Sequence, residues 1–175
     1  MILNDKGILQ QFGLVIYPVD FVVVIGNMED KVNELYQPYD EEYAKAKIVA
    51  PTSTGTTYRV KEIATGIPCI LIWIGKKEEF TSSIVAHECT HAALEIWLYI
   101  KSEVSLSNQE PFAYLLGNLV RLAVGCFYEL PGIQPPVVKK DAFENDQVEK
   151  ERKKKSKSKK TPEDLPKMHH PKFKV

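Results

Sequence analysis

The chain has 175 residues, 44% of them apolar, which suits one globular domain with a core and an appendage. Its formal charge of zero is unevenly placed: residues 149–175 hold 11 basic and 4 acidic groups, leaving 12 basic against 19 acidic in residues 1–148. Three cysteines, each inside an apolar run, argue against a disulfide framework, and the start Met1-Ile2-Leu3-Asn4-Asp5-Lys6 lacks the pattern of a signal peptide, so a reducing, cytoplasmic setting without a membrane anchor is expected.

In chain order, residues 1–12 read as a lead-in. Leu14-Val15-Ile16-Tyr17 and Phe21-Val22-Val23-Val24-Ile25 are β-branched and aromatic and predict one or two strands buried on both faces. Met28 to Tyr36 predicts a helix stopped by Pro38, and Asp40 to Lys47 a second, polar one. The turn-rich run Pro51 to Thr57 joins Lys47-Ile48-Val49 to Tyr58-Arg59-Val60 as a long-looped hairpin. Cys69 to Ile74 is the clearest strand. Hydroxyls at Thr81, Ser82 and Ser83 can cap a helix running to Lys101, and Pro111 and Pro131-Gly132 bracket another from Glu110 to Leu130. That last helix nears the length of a membrane span, but Arg121 interrupts it and a buried core helix is expected. From these elements the expected fold is α+β: a small mixed sheet packed on the two helices, in a domain of residues 1–138, followed by a basic, disordered tail over residues 139–175.

The chemistry concentrates at His87-Glu88-Cys89-Thr90-His91. Four residues along a helix turn through about 40° and rise about 6 Å, so both imidazoles leave one face. Such a pair can hold a zinc ion, with Glu88 beside it to take a proton from water. Val85, Cys89, Ala92, Ile96 and Ile100 form a core stripe; His87, His91, Leu94 and Leu98 lie beside it, at the edge of the buried face. A catalytic zinc needs three protein ligands and an open position. Glu110, opening the next apolar helix, is the best third candidate, with Gly117 allowing close approach of the two helices. Tyr114, one turn on, could donate to a developing oxyanion, against the plainer role of a packed aromatic. Arg121 is assigned to an ion pair with Glu95 or Glu129, and Asn108 to a cap or to ordering the loop before it.

Taken together, His-Glu-Cys-Thr-His followed by Asn108-Gln109-Glu110-Pro111-Phe112-Ala113-Tyr114 resembles the gluzincin zinc metallopeptidases, most closely their small members found in phages and mobile elements. The resemblance covers about 30 residues. It implies zinc on His87, His91 and Glu110, Glu88 as general base, and a peptide or protein substrate lying along Cys69–Ile74 as the sheet edge. The setting it implies is intracellular, in the host cytoplasm for a phage-encoded protein. It departs from the larger members at Tyr114, where those carry an acidic residue. The alternative is a non-catalytic zinc-binding scaffold, or a phage accessory or virion protein. In either case the lysine-rich tail offers counterion-release binding to nucleic acid or another polyanion, with a solvated extension as the plainer reading.

Overall fold

Two strands carry the sheet. The computed structural model describes residues 1–52 and 54–133, all within one unit, and in it β3 (Asp20–Gly26) lies parallel to β6 (Pro68–Ile74), Asp20 against Cys69 through Ile25 against Ile74. Both are almost wholly apolar, as strands covered on two faces must be, and Val22–Ile25 and Leu71–Ile74 are 0% exposed. Phe21, Val23, Ile25, Ile70, Ile72 and Ile74 point to one face; Val22, Val24, Leu71 and Trp73 point to the other.

Around this pair the fold is α+β, a curled six-stranded mixed sheet in the order β1-β2-β3-β6-β5-β4 with three α-helices. β1 (Ile2–Asn4) and β2 (Gly7–Gly13) form a hairpin on one side; β5 (Thr56–Glu62) and β4 (Tyr36–Pro38) extend the other, and all pairings except β3 with β6 are antiparallel. The short helix α1 (Glu29–Leu35) covers one face through Val32, helped by Met28, Tyr36 and Ile48. Helices α2 (Ser82–Tyr99) and α3 (Gln109–Tyr128) cover the other. They run antiparallel: Trp97 meets Phe112 edge-on at 5.6 Å, and Phe80, just before α2, stacks on Phe127 at 4.2 Å. Where β2 begins beside the end of β3, a Cβ at Gly7 would stand 2.0 Å from the Ile25 carbonyl oxygen, so only glycine fits.

Several expectations change. The lead-in is the β1–β2 hairpin. Leu14–Tyr17 is not a strand but a loop, with Val15 fully exposed and Ile16 81% exposed. The polar helix over Asp40–Lys47 shrinks to a 3₁₀ turn at Glu41–Tyr43. Ile48 does not pair with β5; Asn33 holds its backbone, donating to Ile48 O and accepting from Ile48 N at 2.8 Å each, and drops the side chain into the core. Most consequentially, β6 is a central strand rather than the sheet edge, because β5 pairs along it from Thr56 against Trp73 to Lys61 against Pro68. Helices α2 and α3 fall within a residue or two of expectation. α3 is the one described helix long and apolar enough to cross a bilayer, but it is not the buried core helix expected: only the stripe Leu115, Leu119, Ala123 and Cys126 is buried, and its other faces are partly or fully exposed among the described residues. The tail expected over residues 139–175 lies outside the described residues.

Candidate functional site

Helix α2 begins where Thr81 caps it, its hydroxyl accepting from Ile84 N at 3.4 Å. Val85, Cys89, Ala92 and Ile96 then face the core at 0% exposure, while Ile100, expected in the same stripe, is the C-cap and 37% exposed. With that stripe fixed inward, the 3.6-residue period turns His87 and His91 outward. Both are exposed rather than at the edge of the buried face.

They look into a polar cleft of about 430 Å³ between α2 and β5, lined by Asp40, Gly55, Thr57, Arg59, Glu88 and Glu95 beside the two histidines. The cleft is therefore walled by a strand and a helix, where the sequence pointed to a site between two helices. The two Nε2 atoms stand 3.2 Å apart, with the rings crossed at 80°. Two nitrogens bound at zinc–nitrogen distances on a tetrahedral ion stand about 3.3 Å apart, so the pair fits one edge of such a site. The same spacing also suits a hydrogen bond from one ring N–H to the other ring's lone pair.

Glu88 is the single charged residue buried among the described residues, at 6% exposure. Its carboxylate Oε2 accepts from the Thr57 hydroxyl at 2.8 Å, and its main-chain oxygen lies 3.2 Å from the same hydroxyl. Further along the cleft Arg59 sits between Asp40 and Glu95, 3.6 Å from each. Three carboxylates against one guanidinium give the cleft a negative field that favours cations.

Glu110 does not join this group. It is exposed in the first turn of α3, and the antiparallel packing sets its neighbour Phe112 beside Trp97, about 9 Å along α2 from His91 by helix rise. Among the described residues no set of three His, Cys, Asp or Glu side chains is gathered that could hold a metal ion. Tyr114, at 76% exposure, lines a separate apolar groove with Leu14–Tyr17 and Arg121. Arg121 makes neither expected ion pair and donates to Asn118 Oδ1 at 2.9 Å; Glu95 belongs to Arg59. A Cβ at Gly117 would meet nothing within 4 Å, so that glycine serves no close approach. Asn108 orders its loop, accepting from Ser105 N and donating to Glu103 O, each at 2.6 Å.

Thr57, Gly55, Arg59 and Asp40 carry no signal in the sequence because only tertiary packing brings β5 and its flanking loops against α2, while Glu95, on α2 itself, was expected as a partner for Arg121 rather than in the cleft. Glu95 alone carried a local signal, lying four residues past His91 on the same side of the helix. Comparisons with family models, curated proteins and solved structures gave no match.

Proposed function

We propose that the protein is a zinc-dependent metallopeptidase working in the cleft between α2 and β5. The observation that carries the reading is the His87–His91 pair, its Nε2 atoms at a ligand-like 3.2 Å, with a buried Glu88 beside it. Zinc held by the two histidines would supply Lewis-acid polarisation of a substrate carbonyl and a more acidic water. Glu88 takes the proton of the attacking water and delivers it to the leaving amine. The β4 register stops at Val60, and Tyr39 N–H takes the Arg59 carbonyl, so Thr56–Tyr58 has no strand partner on its outer side among the described residues. An extended peptide can add to that edge directly beside Glu88.

The third ligand separates two carboxylates. The resemblance assigns Glu110, which must bring the first turn of α3 toward the histidine face. Glu95, already in the cleft, needs only to leave Arg59. A second reading, a non-catalytic metal-binding scaffold, is favoured by one observation: the missing third ligand among the described residues.

Metal content and peptide hydrolysis of four proteins decide. Wild type is expected to hold one zinc and cleave. Glu88→Gln should keep the zinc and lose about 10²–10⁴-fold in kcat. Whichever of Glu95→Gln and Glu110→Gln loses zinc affinity identifies the ligand. Zinc without cleavage of a broad peptide library transfers the conclusion to the scaffold reading, and a wild type that takes up no zinc sinks both.

A further inference from the structure

We infer that the entry of β5 aims the general base: Thr57 holds one oxygen of Glu88, leaving Oε1 as the oxygen that accepts the proton, and Gly55 provides the space for it. The inference rests on the peptidase reading above. A glutamate on a helix has three rotatable side-chain bonds, and a buried carboxylate is costly unless it is hydrogen-bonded. Thr57 supplies such a bond to Oε2 at 2.8 Å. Its hydroxyl carries one proton and faces two acceptors on the same residue, and the charged, nearer carboxylate oxygen is the stronger. Thr57 is itself well fixed: it is β-branched, and on its inner side its backbone pairs with Ile72 of the central strand β6.

The other oxygen, Oε1, faces Gly55. A Cβ there would stand 3.0 Å from Oε1 and 2.9 Å from Cγ of Glu88. A side chain at position 55 would therefore press on the oxygen that Thr57 leaves unclaimed. The strand that offers its edge to substrate thus also fixes which oxygen of the base is held and which is left for the proton, and Thr57 is a positioning residue for Glu88.

The test uses the full chain with Thr57→Val and Thr57→Ser. Zinc-loaded Thr57→Val is expected to keep wild-type zinc content and a KM within about two-fold, while kcat falls about 10- to 100-fold. Thr57→Ser, which restores the hydroxyl, should recover most of that loss. Without metal, Thr57→Val should lower Tm by about 3 °C in the wild type and leave Tm unchanged in an Glu88→Ala background. Wild-type kcat in Thr57→Val, or an equal Tm loss in both backgrounds, overturns the inference. A wild type that cleaves nothing sinks the peptidase reading instead, and the Tm comparison still decides whether Thr57 holds Glu88.

Discussion

Gly55 and the three buried thiols show how single positions are constrained by what surrounds them. Because a Cβ at Gly55 would press on Glu88, Gly55→Ala should displace the carboxylate. On the peptidase proposal kcat should then fall about ten-fold with zinc content unchanged, checked by steady-state kinetics beside metal analysis. Burial, the largest cause in each case, pushes the thiols of Cys69, Cys89 and Cys126 up to about 12 from an ordinary value of 9.0. For Cys89 the charge of Glu88 adds to the effect. The folded chain therefore keeps these protons at pH values where the unfolded chain releases them. Their contribution to stability is full below pH 9 and is lost as pH rises from 9 toward 12. Two measurements follow: Tm should decline over that window, and the native protein at pH 8 should react slowly with a thiol reagent that labels all three thiols after unfolding.

Among the elements, β6 bears the most. Trp73 is fully buried, and its Nε1–H donates to Gly26 O at 2.9 Å, tying β6 to the end of β3. Trp73→Ala removes both the packing and that bond and is expected to cost about 3–5 kcal/mol, read from denaturant unfolding. β3, β6, α2 and α3 were legible in the sequence because each buries a large apolar surface, and burial writes itself as an apolar run or a helical stripe. The β1–β2 hairpin was not, since Gln10 and Gln11 break its apolarity. Gln11 is satisfied only by distant partners, donating to Asp20 Oδ2 at 2.7 Å and accepting from the Tyr36 hydroxyl at 2.6 Å. Leu14–Tyr17 misled in the opposite direction, being apolar yet largely exposed at Val15 and Ile16. The site divides the same way. His87, Glu88 and His91 share one helix and are visible as a spacing, whereas Thr57 meets Glu88 across 31 positions and no local pattern announces it.

At the scale of the whole chain, charge is the clearest asymmetry. Removing residues 149–175 takes away a net +7 and leaves a body of −7. If the tail serves a polyanion, the full chain should bind DNA with an affinity that falls steeply with salt, and a chain ending at Val148 should not bind. Equal binding by both would end that role for the tail.

The parallel pairing of β3 with β6 has a further consequence, in time rather than in space. Residue 20 must wait for residue 69 before its strand has a neighbour on that side. At synthesis rates of about 5–20 residues per second, β3 therefore spends about 2–10 s with an apolar flank uncovered, a window for chaperone capture. β5 reaches the ribosome exit before the strand that anchors it, and α2 follows later still. The cleft is consequently among the last features to form, and on the peptidase proposal a nascent chain would have no finished site with which to act on its neighbours.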